Sequence, residues 1–156
     1  MNIVSLISLA TFAAVFCALY AAHSVGDHWV QTHSQACGKS APTAAGRLAC
    51  ARHVATLTLT KTAAVTALAL VTGLTLHPLA FVAGLGVDAV SHYWADRRVT
   101  LARLAERLGK RGFYELGTPR PGRDDAPHLG TGAYALDQSW HIGWLFVAAL
   151  VIAGGA

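Results

Sequence analysis

The chain has 156 residues, of which 54% are hydrophobic and only 13% are charged. Soluble domains carry about 25% charged residues, so this composition argues against a soluble protein and favours a polytopic membrane protein. The formal net charge is +4, yet no Lys or Arg precedes Lys39 or follows Arg123, and eight of the twelve lie between Arg97 and Arg123. Cations clustered beside apolar segments are typical of membrane topology, and we expect no nucleic-acid partner.

Four helices in one membrane domain, residues 1–156, are predicted in chain order. The first contains the uncharged run 3–22, which is long enough to cross ~30 Å of hydrocarbon and is too long for a cleaved signal peptide. The second follows Pro42, and Pro78 separates it from the third. The predicted helices cover about residues 2–32, 43–75, 79–111 and 133–153. The expected fold is therefore an all-α, polytopic membrane four-helix bundle.

The last part of the third helix is predicted to be an amphipathic cytoplasmic extension. Its leucines recur at helical spacing, and its cations fall on the opposite side. The leucines are Leu101, Leu104 and Leu108, and the cations are Arg103, Arg107 and Lys110. Such a helix suits a bilayer surface with anionic headgroups.

The orientation follows from the positive-inside rule. With four spans, the loops 33–42 and 99–130 lie on the same side, and these loops carry Lys39 and most of the other cations. We therefore expect both loops to be cytoplasmic, both termini to lie outside, and the protein to be integral to the inner (plasma) membrane. The three cysteines, Cys17, Cys37 and Cys50, form no metal motif and are expected to be free thiols.

Three short motifs pair a histidine with an aspartate four positions away, beside apolar runs. They are HSVGD at 23–27, HYWAD at 92–96 and DQSWH at 137–141. This spacing places both side chains on one helix face, with Cβ atoms ~5–6 Å apart. With the predicted orientation, the three pairs and one further histidine share one depth near the cytoplasmic side. The seven residues are His23, Asp27, His53, His92, Asp96, Asp137 and His141.

Convergent His and Asp side chains without Cys favour a site for one or two divalent ions, Zn, Mn or Fe. A hydrogen-bonded helix staple and a metal-free proton relay remain alternatives, although ionisable residues inside a membrane are functional candidates by default. Asp88 either extends the site or pairs with Lys61, and we favour the pair.

Three further residues are candidates for binding a substrate. Gln31 lies four positions after Asp27, on the same helix face. Arg97 and Arg98 either bind an anionic headgroup or extend to the lipid surface.

The motifs resemble those of a domain-of-unknown-function family of small bacterial and phage membrane proteins. Its pattern is HxxxDxxxQ, then HV, then HxxxD followed by a base, then DQxxH, and it matches segments 23–31, 53–54, 92–98 and 137–141. The chain is also distantly similar to membrane-bound metal-dependent hydrolases. This resemblance implies functional roles for the seven residues and for Gln31 but names no reaction. The long basic loop 99–130 departs from the pattern.

Three functions remain open from the sequence. The favoured one is a metal-dependent hydrolase acting at the cytoplasmic leaflet on a lipid-linked or phosphorylated substrate, with Asp27, Asp96 and Asp137 as candidate catalytic residues and one of them as general base. The second is transport of metal ions or protons. The third is a non-enzymatic membrane interaction module with a structural metal site. The metal, the substrate and the oligomeric state are not determined by the sequence.

Overall fold

A computed structural model describes residues 2–119, 121–122 and 131–155, and these residues contain helices and turns but no strand. The helices are α1 (Ile3–Val25), α2 (His33–Gly38), α3 (Ala44–Thr72), α4 (Pro78–Asp96), α5 (Val99–Arg107), α6 (Arg111–Tyr114) and α7 (Gly132–Ala153), and a π-helical turn, Gly26–Val30, extends α1. The all-α prediction is therefore confirmed for the described residues.

The four long helices begin at residues that satisfy or avoid free backbone N–H groups. Asn2, Thr43 and Thr131 each accept a hydrogen bond from a backbone N–H of the first turn of α1, α3 and α7. Pro78, which has no N–H to satisfy, stands first in α4. Helix α3 ends at Gly73, whose φ of 72° is the left-handed conformation that glycine adopts most easily.

The long helices pack side by side: α1 and α4 each contact both α3 and α7. Their shared core is apolar and comprises Val15, Leu19, Val65, Leu85, Leu145, Ala148, Ala149 and Ile152. Close packing between α4 and α7 depends on Gly84, since a Cβ there would lie 2.6 Å from Ile152 Cγ1. Large apolar side chains such as Leu70 and Val90 point outward and are exposed.

Three helical segments are long and apolar enough to cross a membrane: Ile3–Val30, Ala44–Thr72 and Gly132–Ala153. Helix α4 is not among them, because Asp88, His92 and Asp96 lower its hydropathy. Three of the four predicted spans therefore have suitable composition, and the fourth stays a prediction.

The predicted continuous helix over residues 79–111 is wrong, because the chain turns at Arg97 and Arg98. Helix α4 ends at Asp96, Arg98 has a φ of 53°, and α5 starts at Val99. The turn lets α5 bury Leu101 and Ala105 while its arginines stay exposed, so the amphipathic pattern is kept on a separate helix. Part of the predicted basic loop, at residues 120 and 123–130, lies outside the described residues.

Candidate metal centre

The π-helical turn after α1 places Asp27. The backbone N–H of Gln31 donates to the carbonyl of Gly26 at 2.9 Å, five residues back. Gly26 is buried against α3, and a Cβ at this position would overlap Leu57 Cδ1. This close approach brings Asp27 towards His53 of α3. Single π-helical turns inside α-helices occur frequently at functional sites.

The seven residues singled out by the motifs come together at one end of the four long helices. Helix α1 and its π-helical turn supply His23 and Asp27, α3 supplies His53, α4 supplies His92 and Asp96, and α7 supplies Asp137 and His141. The four histidines and Asp96 are almost completely buried. Asp27 is nearly so, whereas the side chain of Asp137 is 26% exposed.

An inner group of four donor atoms forms the centre of this cluster. The Nε2 atoms of His53 and His92 are 3.1 Å apart. His53 Nε2 lies 3.1 Å from Asp27 Oδ1 and 3.3 Å from Asp96 Oδ2. His92 Nε2 lies 3.7 Å and 3.2 Å from the same two oxygens. Two imidazole nitrogens thus face the same two carboxylate oxygens, and all four atoms can act as metal ligands.

The other histidines contact the outer oxygens of the same two carboxylates. His23 Nε2 lies 3.5 Å from Asp27 Oδ2, and His141 Nε2 lies 3.8 Å from Asp96 Oδ1. The rings of His92 and His141 stack with centroids 3.9 Å apart. Asp137 is further out, with Oδ1 3.5 Å from His141 Nε2. In this geometry, His23, His141 and Asp137 surround the inner group.

Two sets of three residues have donor atoms within 4.8 Å of one another: Asp27, His53 and His92, and a second set of His92, Asp96 and His141. Both sets could hold a metal ion, and they share His92.

Many polar atoms in the cluster have no hydrogen-bond partner among the described residues. They include Asp27 Oδ1 and Asp96 Oδ2 of the inner group and both ring nitrogens of His23 and of His141. A buried polar atom without a partner costs roughly 1–3 kcal/mol. A ligand could satisfy these atoms, and the N and O donors suit a divalent cation.

The sequence reasoning missed Lys39, treating it only as a cation that sets topology. Its side chain is 10% exposed, and Nζ lies 2.9 Å from Asp96 Oδ1. Arg97 holds this segment in place, because its guanidinium donates to the backbone carbonyls of Lys39 and Ala41, both at 2.5 Å. The signal was weak, because Lys39 is a lone cation in a polar loop and belongs to none of the motifs.

The Lys61–Asp88 pair predicted from the sequence is confirmed. Lys61 Nζ lies 2.6 Å from Asp88 Oδ2, and both side chains are almost fully buried. Asp88 is therefore neutralised by its own partner.

The candidate substrate residues lie in different surroundings. The side chain of Gln31 is half-buried, and its Nε2 has no partner among the described residues. Arg97 is bound to backbone carbonyls, and Arg98 is exposed at the turn. Their roles stay predictions. His28, the residue after Asp27, contacts Ser24 O at 2.8 Å and Tyr134 Oη at 3.2 Å.

Fold and site together define an all-helical protein with apolar helices of membrane-spanning length and a buried His/Asp cluster that could hold a metal ion. Comparisons of the chain with family models, with curated proteins and with solved structures find no significant match. The chemistry of the cluster must therefore be inferred from its own geometry.

Proposed function

We propose that this is a membrane-embedded metal-binding protein whose inner group, Asp27, His53, His92 and Asp96, holds a divalent cation. The observation that carries the proposal is the set of distances among these four donor atoms. Zn²⁺ binds N and O ligands at about 2.0–2.1 Å, and a tetrahedron with bonds of that length has edges of about 3.3 Å. Five of the six donor–donor distances run from 3.1 to 3.7 Å.

The surrounding residues fit the usual support of a metal site. Ligating carboxylates and histidines generally contact further polar groups that orient them. His23 faces the outer oxygen of Asp27, and Lys39 and His141 face the outer oxygen of Asp96. These contacts leave one oxygen of each carboxylate directed at the inner group.

The reaction we favour is hydrolysis of a lipid-linked or phosphorylated substrate at the cytoplasmic leaflet. A divalent cation would supply Lewis acidity towards a phosphoryl or carbonyl oxygen. Asp137 is the most exposed carboxylate of the cluster and contacts His141, so this pair would accept the proton of the attacking water. Gln31, with its unpartnered Nε2, would donate a hydrogen bond to the substrate.

A transport function is less well supported. An ion pathway needs polar groups across the whole membrane. Beyond Lys61 and Asp88, the packed core of the described residues is apolar apart from Thr11, with Val65, Leu85 and Ile152 among its members. This arrangement favours a site open to one side of the membrane.

The membrane arrangement belongs to the same proposal. Four helices would span the inner membrane, with the polar residues Asp88, His92 and Asp96 of α4 buried, and the cluster would face the cytoplasm. The cations near the cluster, Lys39, Arg97 and Arg98, support this orientation. Helix α5 would then lie near anionic headgroups.

Elemental analysis of the purified protein tests metal binding. Wild-type protein loaded with Zn, Mn or Fe and freed of excess metal should retain at least one ion per chain. Asp96→Asn should lose it, and the control His77→Ala, an exposed histidine at the start of α4, should keep it. Wild-type protein without metal under all three loadings would contradict the proposal.

Turnover is tested separately, on lipid phosphates in vesicles. Asp137→Asn should keep its metal and lose most phosphate release, because the amide cannot accept the proton. Full metal content with no release from any lipid phosphate, in wild-type protein, would instead favour a structural metal site.

A further inference from the structure

Lys39 contacts Asp96, a member of the second three-residue set, His92, Asp96 and His141, that could hold a metal ion. His141 Nε2 lies 3.8 Å from Asp96 Oδ1 and 3.5 Å from Asp137 Oδ1. The ammonium of Lys39 contacts Asp96 Oδ1 at 2.9 Å, so it already uses the oxygen that a second ion would need.

We propose that Lys39 acts as a built-in cation, so that the cluster binds one divalent ion beside it and not two. This inference rests on the proposed metal binding. It deepens that proposal by fixing the number of ions and by giving a positioning role to a residue outside the motifs.

The balance of charges supports one ion. Counted with neutral histidines, as metal binding requires of His53 and His92, the cluster has three negative charges, on Asp27, Asp96 and Asp137. One divalent ion and the Lys39 ammonium together neutralise the three negative charges. Two divalent ions beside Lys39 would leave two positive charges in excess at a largely buried site, and buried charge without a partner is strongly unfavourable.

The other charged groups near the cluster contact partners outside it. Asp88 and Lys61 neutralise each other at 2.6 Å. Arg97 is half-buried and donates to the carbonyls of Lys39 and Ala41. Its contacts are therefore with the backbone that carries Lys39.

The position of Lys39 is fixed by its surroundings. Residue 39 follows α2, whose first turn is closed by a reciprocal hydrogen-bond pair between Thr32 and Gln35. The N–H of Lys39 donates to Gln35 O at 2.9 Å, and its carbonyl accepts from Arg97. The backbone of Lys39 is thus held from both sides. The whole residue is only 8% exposed, unlike a lysine that extends freely into solvent.

The number of bound ions tests the inference. Wild-type protein, Lys39→Met and Lys39→Arg are saturated with zinc, freed of excess, and analysed for zinc per chain. Lys110→Met, which removes an exposed lysine, is the matched control. We expect one zinc in wild type, in Lys39→Arg and in Lys110→Met, and two in Lys39→Met.

The outcomes distinguish the role of Lys39 from the proposed metal binding on which it rests. Two zinc ions in wild-type protein, or one in a folded Lys39→Met, would overturn the role of Lys39 and leave metal binding intact. No zinc in wild type or in any variant would overturn metal binding itself. Folding of each variant is checked by its helical circular dichroism and elution volume. If Lys39→Met does not fold, Lys39→Gln replaces it with the same expectation of two ions.

Discussion

Two buried polar regions lie along the same helices, and they differ in how completely their charges and hydrogen-bonding atoms are paired within the chain. Lys61 and Asp88 join α3 to α4 through one short ion pair with equal and opposite charges. The His/Asp cluster, one helical turn from Asp88 at His92, has an excess of negative charge and many polar atoms without partners among the described residues. The two regions contain similar residue types but have opposite electrostatic character.

The difference indicates which region is structural. An ion pair that is complete within the chain needs no ligand, and its role is to hold two helices together. A cluster with surplus carboxylates and facing imidazole nitrogens could be completed by a cation. Burial of charged residues therefore does not by itself mark a candidate site, whereas burial without internal compensation does.

Breaking the compensated pair should have the largest effect on stability. Lys61→Met leaves the Asp88 carboxylate buried without a counter-charge, which we expect to lower the free energy of unfolding by about 3–5 kcal/mol. The measurement is denaturant unfolding in mixed micelles, with zinc content determined in parallel and expected to be unchanged. The double variant Lys61→Met/Asp88→Leu removes both charges and should recover most of the loss. Equal stability of Lys61→Met and wild type would show that the pair is not structural.

Removing one inner ligand should have the largest effect on metal affinity. Structural sites with four ligands bind zinc with a free energy of roughly 10–16 kcal/mol. If one ligand supplies a quarter of that free energy, its loss corresponds to about 100–1,000-fold weaker binding. We expect this loss for His92→Ala, measured by competition with a chromophoric chelator. His77→Ala is the control, since His77 is exposed at the other end of α4. Unchanged affinity in His92→Ala would place the ion elsewhere.

Replacing a surrounding histidine should have a smaller effect. His23 faces the outer oxygen of Asp27 at 3.5 Å, and loss of such orienting contacts typically weakens metal binding 10–100-fold. His23→Gln should therefore bind the same number of ions with affinity reduced in that range. His28→Gln, at the edge of the cluster, should bind zinc as wild type does. Complete loss of zinc from His23→Gln would instead identify His23 as a direct ligand.

The motifs could be recognised from the sequence because their spacing is local. On a helix, residues four apart share a face whatever the rest of the chain does, so HSVGD, HYWAD and DQSWH predict three His/Asp pairs directly. Because each pair lies next to an apolar run, the sequence also predicted that the three pairs lie at the same end of the helices. The ion pair of Lys61 with Asp88 was favoured over a role for Asp88 in the site, because Lys61 is the only cation inside the apolar run of the second predicted helix.

Other features depend on contacts that no local pattern encodes. The turn at Arg97 and Arg98 interrupts a segment with good helical periodicity, because Arg97 is held by carbonyls of the loop before α3 and α5 gains burial by changing direction. The π-helical turn at Gly26–Val30 accompanies the close approach of α1 to Leu57. Both are tertiary effects that override helix propensity.

The sequence by itself determined the helical class, three segments of membrane-spanning composition, and the residues of the cluster, because hydropathy and helical spacing depend on neighbours along the chain. Only the tertiary structure decided which atoms face one another. It separated His53 and His92 from the surrounding His23 and His141, and it brought Lys39 to Asp96. Donor geometry depends on distances between helices that are far apart in sequence, and those distances are set by packing.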